Sequence, residues 1–315
     1  MNSDRSAPTV VPADAGKQSM TAIDTHGHIY EQCLKLAPSG NRSSTYDGSY
    51  KPTYDALLSE YVRQMDANGV SHGVLVHPNF LGTDNSYLVA ALRRMPDRLR
   101  GIAIVDTSVA DSELAELDSA GVVGIRPVIG DQVPDFRSAA WKALLRKLAS
   151  MRWQVEIHCE ARHLPKIVDP LLESGVDVVI DHFGRPDPKL GVKDPGFQYL
   201  LSAAASRRVW VKLSGAYRAG PKGVKAAGDA VAREAVPSLH RAFGPERLLW
   251  GSDWPHIFYE NVVSFASVRA DLDTWITDPA ERWLILCDTP AKLFRFSLGA
   301  ANISNRFAGA NRLPL

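Results

Sequence analysis

The chain lacks several features that would place it in a class at once. Among 315 residues there are three cysteines, Cys33, Cys159 and Cys287. They are odd in number and scattered, with no Cys-x-x-Cys pair. That excludes a disulfide framework and a cysteine-based zinc motif, and it fits a reducing, cytoplasmic setting. Net charge is nearly absent, 36 basic residues against 35 acidic. Without a basic field, neither nucleic acid nor a membrane surface is an expected partner. No apolar run reaches the roughly 18 residues that a membrane span needs. The N-terminus has no basic stretch followed by an apolar one, so it does not read as a secretory signal. Internal repeats and low-complexity blocks are missing too, and nothing marks a second domain.

What is present reads as one α/β unit. Apolar residues make up 45% and charged residues 23%, enough for a full buried core. Residues 1–18, rich in Ser, Pro, Ala and Asp, read as a flexible arm. Residues 19–297 read as a single domain, and 298–315 as a polar tail. Apolar, Val/Ile-rich runs fall at 21–25, 73–77, 101–105, 122–126, 153–157, 176–181, 208–213 and 247–251. Such runs suit strands buried on both faces. Helical patterns lie between them, at 54–68, 86–95, 111–119, 139–151, 164–173, 195–205 and 230–243. Gly69, Gly121 and Gly175 stand as helix stops before the next strand. Eight strands alternating with helices predict a closed (β/α)₈ TIM barrel. An open doubly wound sheet would scatter the polar groups discussed next along one edge.

Five residues concentrate the chemistry: His26, His28, His158, His182 and Asp253. Each closes an apolar run, the first two sharing one. In an extended strand residues i and i+2 point the same way, so the His-x-His pair can meet one ion. Imidazoles with one carboxylate suit Zn²⁺ better than Ca²⁺ or Mg²⁺. The expectation is one divalent ion, Zn²⁺ first, held by His26, His28 and His158 with His182 or Asp253. Asp253 is also the candidate general base, a role compatible with ligation, and His182 is the second catalytic candidate. Arg126, Arg185 and Arg218 stand at strand ends. A guanidinium fork binds carboxylate or sulfonate in bidentate fashion. Either substrate anions or internal carboxylates would partner them. Asn79 and Lys212 are weaker candidates, and His77 and His256 would either touch substrate or support the groups that do. His72, His163 and His240 read as ordinary surface histidines. The connection from Ile29 to about Pro52 is long and rich in turn residues, which suggests a lid. Its Tyr46 and Tyr50 would either reach substrate or pack the loop.

Asp24-Thr25-His26-Gly27-His28, Gly124-Ile125-Arg126, Asp181-His182-Phe183-Gly184-Arg185-Pro186-Asp187 and Trp250-Gly251-Ser252-Asp253-Trp254-Pro255-His256 together resemble the amidohydrolase superfamily. Within it they resemble the branch of small-acid lactonases that act on sulfomuconolactone and pyrone dicarboxylate. The resemblance runs from about residue 21 to 296. It implies a barrel with its active site at the C-terminal mouth and hydrolysis of a small anionic lactone. Pyrone-dicarboxylate enzymes work without a metal and lack a histidine after the fifth strand, so His158 points to a metal-using relative. Arg126 stands where binuclear members carry a bridging lysine, which implies a single metal. The alternatives are a metal-independent lactonase, or a decarboxylase or lactone isomerase on the same scaffold. A homo-oligomer is compatible with the sequence.

Overall fold

The computed structural model describes residues 20–37, 51–129, 133–220 and 224–297. Tyr46, Tyr50, the N-terminal arm, the C-terminal tail and the middle of the proposed lid lie outside the described residues. Eight parallel strands form one sheet in the order β1 to β8. They are β1 (Ile23–Gly27), β2 (His72–Val76), β3 (Leu99–Ala103), β4 (Val122–Ile125), β5 (Gln154–Ile157), β6 (Val178–Ile180), β7 (Val209–Leu213) and β8 (Leu248–Trp250). The ring closes where Asp253 N donates to His26 O at 2.7 Å and His28 N donates to Trp254 O at 2.8 Å. This is the expected (β/α)₈ architecture.

The strands form because both of their faces are covered. Val74, Ile102, Val155, Val179 and Val211 are all fully buried, and β-branched side chains pack well on a pleated surface. Seven helices follow the expected pattern: α1 (Leu58–Ala67), α2 (Ser86–Arg94), α3 (Asp111–Ala120), α4 (Ala139–Ser150), α5 (Leu164–Glu173), α6 (Pro195–Ala203) and α7 (Lys225–Phe243). Their ends obey local chemistry. Gly121 stops α3 in a left-handed conformation, φ 103°, which a glycine adopts without steric penalty. The Asp194 side chain accepts from Gly196 N at 2.7 Å and, with Pro195 in the first turn, starts α6.

Three expectations are corrected. Helix α7 begins at Lys225, five positions before the sequence pattern placed it. Its first turn, Lys225-Ala226-Ala227-Gly228, carries no large apolar side chain to mark an amphipathic stripe. Beyond β8 three helices were not anticipated: α8 (Phe265–Trp275), α9 (Pro279–Trp283) and α10 (Thr289–Leu293). Ser264 and Ser267 form a reciprocal capping box at the start of α8. The segment after α8 buries Ile285, Cys287 and Phe294 against the N-terminal ends of β1 and β8. Last, His72 is not a surface group. It opens β2, is only 7% exposed, meets Ser71 Oγ through Nδ1 at 2.8 Å, and packs edge-on against Phe296. Among the described residues no helix is long and apolar enough to cross a membrane.

Candidate active site

The C-terminal strand ends bring four of the predicted residues to one point. His26 Nε2, His28 Nε2 and His182 Nε2 lie 3.8, 3.7 and 4.0 Å from Asp253 Oδ1. The register of β1 against β2 shifts between Asp24 and Gly27, yet His26 and His28 still meet, with ring centroids 4.9 Å apart. Asp24 anchors this junction. Its carboxylate accepts from Ser252 N (2.8 Å), Ser252 Oγ (2.5 Å) and Tyr61 OH (3.0 Å), tying β1 to the chain after β8. Burial pushes its pKa up to about 6 even against those hydrogen bonds, which favour the charged form.

Close backbone approach makes the convergence possible. A Cβ on Gly215 would sit 2.9 Å from His182 Nδ1, and one on Gly251 would sit 2.6 Å from the His26 Cβ. Only glycine fits between these rings and the neighbouring chain. His182, Arg185, Asp253 and His256 all take positive φ, from 47° to 65°. Such conformations are strained by on the order of 1–3 kcal/mol each and persist where the surroundings enforce them, typically at functional sites.

The two oxygens of Asp253 have different surroundings. Oδ2 accepts from Arg218 Nε at 2.5 Å and from Tyr217 OH at 2.7 Å, while Oδ1 faces the three imidazoles. Burial alone would raise the Asp253 pKa, but Arg218 and then His182 hold it well below the usual carboxylate value. Burial also pushes His182 down to about 4, so its ring is neutral near pH 7. Two of the three imidazoles have their far nitrogen engaged by a neutral group. His28 Nδ1 meets Val76 O at 2.7 Å and His182 Nδ1 meets Ser214 Oγ at 2.9 Å. Partners of this kind orient an imidazole and direct Nε2 at a metal.

These residues fit a divalent ion. His26, His28 and Asp253 form one group of candidate ligand atoms, and His26, Asp181 and His182 form a second. His26 Nε2 is buried without a hydrogen-bond partner. Ligand atoms of tetrahedral Zn²⁺ stand about 3.3 Å apart for bonds of about 2.0–2.1 Å, slightly closer than the spacings here.

His158, expected among the ligands, stands outside both groups, and its Nε2 lies 3.1 Å from Arg185 Nη1. Arg218 is engaged by Asp253 and by Ile257 O at 3.2 Å, so its first partners are internal. Arg126 donates through Nη2 to His77 O at 2.9 Å and leaves its Nε buried without a partner. The Oδ1 of Asn79 and the Nε2 atoms of His77 and His256 are likewise buried and unpartnered. His182, Arg185, Gly215 and Arg218 line a cavity of about 680 Å³, together with Pro186, Pro188 and Leu190.

Sequence reasoning missed Glu156 and Asp181 and underrated Lys212. All three are buried beneath the mouth, where Lys212 Nζ lies 2.7 Å from Glu156 Oε2 and 3.3 Å from Asp181 Oδ1. Their signal was one charge inside each apolar run, as in Val155-Glu156-Ile157 and Val211-Lys212-Leu213.

Fold and site together define a (β/α)₈-barrel enzyme whose imidazoles and carboxylate meet at the C-terminal mouth. The chain belongs to the amidohydrolase family, whose model matches residues 23–296. It is 31% identical over 299 residues to 4-sulfomuconolactone hydrolase of Rhizobium radiobacter, covering 92% of this chain and 93% of that protein. A solved structure of a candidate 2-pyrone-4,6-dicarboxylic acid hydrolase from Pseudomonas putida is 41% identical, with a TM-score of 0.81, covering 90% of this chain and 100% of that one. Another, a probable 2-pyrone-4,6-dicarboxylic acid hydrolase from Acinetobacter baumannii with citric acid bound, is 35% identical with a TM-score of 0.79, covering 88% and 100%.

Proposed function

We propose that the protein opens the ring of a small anionic lactone, one bearing a carboxylate or sulfonate, with one divalent metal ion at the barrel mouth. 4-Sulfomuconolactone and 2-pyrone-4,6-dicarboxylate, the substrates in its relatives' names, are the first candidates. The observation that carries this reading is the convergence of three imidazole Nε2 atoms on Asp253 Oδ1, each within 4.0 Å. His26, His28 and Asp253 would hold the ion, with His182 beside them, and the donor chemistry favours Zn²⁺. When bound, such an ion supplies polarisation of the ester carbonyl and acidification of a water molecule.

The chain's own residues divide the remaining work. Asp253 Oδ1 takes the proton of the attacking water. Arg218 and Tyr217 fix the carboxylate through Oδ2, so the carboxylate does not rotate away. Arg218 and His182 hold the Asp253 carboxylate in its charged form, able to accept a proton, and the proton it accepts is passed on to the leaving oxygen of the opened ring. Neutral His182 borders the reaction without adding a competing cation. Arg185 and Arg126 would hold the substrate anions, Arg185 from the cavity wall and Arg126 through its free Nε. The Acinetobacter relative, solved with citric acid bound, shows that a related chain takes a small polycarboxylate.

The test is a panel of charged lactones with neutral analogues of equal size. Ring opening is followed by loss of ring absorbance and by titration of the acid released. One equivalent of acid per ring opened is the expected result. Carbon dioxide release, or a ring-retaining isomer without acid, would replace this reading with a decarboxylase or an isomerase.

A further inference from the structure

The lining of the cavity beside the reacting centre has two parts. One is polar and belongs to the site: it includes His182, and Arg218, which is bonded to Asp253. The other is apolar. Pro165 and Pro195, in the first turns of α5 and α6, contribute to it, with Pro186, Pro188 and Leu190 of the loop after β6. A volume of about 680 Å³ falls among sites of roughly 300–1,000 Å³ that bury drug-sized ligands. A bare lactone ring with one or two acid groups is smaller than that.

The loop fixes the place of Leu190. The Asp187 carbonyl accepts from Leu190 N at 2.9 Å and from Gly191 N at 2.8 Å, and Asp187 N donates to Asp194 Oδ2 at 2.7 Å. Pro186 and Pro188 restrict φ on either side of Asp187, so the segment is braced by its own chemistry. Leu190 is 47% exposed and takes no part in the hydrophobic core, whereas Val192 packs against that core. A single exposed leucine is ordinary on a surface. This one is held by a braced loop on the lining of a cavity that reaches the reacting centre. Three arginines also line the cavity. Arg218 pairs with Asp253, and Arg162 pairs with Glu160 at 2.7 Å. Arg185 forms no ion pair among the described residues, and its Nη1 meets His158 Nε2 at 3.1 Å. One arginine without a carboxylate partner beside an apolar lining suits a ligand divided in the same way, with an anion and an apolar arm.

We propose that this cavity is a subsite for an apolar substituent, and that the preferred substrate is an anionic ring compound carrying an alkyl or aryl arm. Its acid group meets Arg185, and its arm lies against Leu190, Pro186 and Pro188. The compact acids in the relatives' names would leave this part of the cavity to water. That the ring is a lactone rests on the function proposed above; the apolar subsite rests on the cavity itself.

The test uses benzoate and para-butylbenzoate as inert anionic rings, with titration calorimetry on the full chain as purified. Each buried methylene should tighten binding roughly fourfold. Para-butylbenzoate should therefore bind about tenfold tighter than benzoate or more, with the more negative heat-capacity change that apolar burial produces. Leu190→Asn adds no charge and falls at an exposed position, so the fold is kept. It should leave benzoate within about twofold and weaken para-butylbenzoate about threefold or more. Equal affinity for the two benzoates in the parent, or binding of neither, overturns the proposal. So does an equal loss of both in Leu190→Asn, or a gain from the butyl arm that this variant leaves intact. A gain that Leu190→Asn reduces, in a protein that opens no lactone with or without an alkyl arm, upholds the subsite and removes the lactonase reading instead.

Discussion

Arg218 Nε lies 2.5 Å from Asp253 Oδ2, joining the loops that follow β7 and β8. The arginine therefore acts on the reaction through the carboxylate. Arg218→Lys keeps the charge but loses the planar fork, which also reaches Ile257 O. A loss of roughly 10–100-fold in kcat is expected. Asp253→Asn should lose roughly 10²–10⁴-fold. Because the two residues work as one unit, the double variant should be no slower than Asp253→Asn alone. Rate measurements on the three variants check this, and a product of the two single losses would show that Arg218 acts independently.

Arg126 and Arg185 should behave differently from Arg218. If they hold substrate anions, replacing either by Met removes a charge-assisted contact of about 1.5–3 kcal/mol, or roughly 10- to 150-fold, seen mainly as a raised KM. The loss should fall on charged lactones and spare neutral ones. Equal losses on both, with lower thermal stability, would mean that the arginines brace the barrel through His77 O and His158 instead.

How much of this was legible in the sequence follows from where each signal lies. Strands buried on both faces leave continuous apolar runs, so β1 to β8 could be read directly, and the histidines at their ends came with them. The Arg218–Asp253 pairing could not be read, because two loops bring it together across 35 positions and no periodicity reports on loops. Glu156 and Lys212 were obscured for another reason. One charge in an apolar run looks like an interruption until a second strand supplies its partner. His72 was misjudged because its burial depends on Phe296, more than 200 residues away, in a segment whose helices were not anticipated.

Acid stability should carry the mark of His72. Burial lowers its pKa from the usual 6.5 or so to about 4, with Arg98 and Arg100 adding to the effect. Below pH ~6.5 the unfolded chain takes up a proton that the folded ring refuses. The contribution is thus whole above that pH and is lost as pH falls toward 4. Allowing for partial solvent screening, roughly 1–2 kcal/mol is at stake. Urea midpoints at pH 7.5 and 5 should therefore converge in His72→Asn relative to the parent. An unchanged difference between the two pH values would show that the ring has no such effect.

The central claim is that His26, His28 and Asp253, with His182 beside them, hold one catalytic divalent ion. Elemental analysis of the purified protein, paired with lactone hydrolysis before and after chelation, tests it most directly. The account predicts about one equivalent of metal per chain, loss of activity on its removal, and recovery on adding Zn²⁺. Full activity in protein shown to be metal-free would contradict it and assign the imidazoles to substrate.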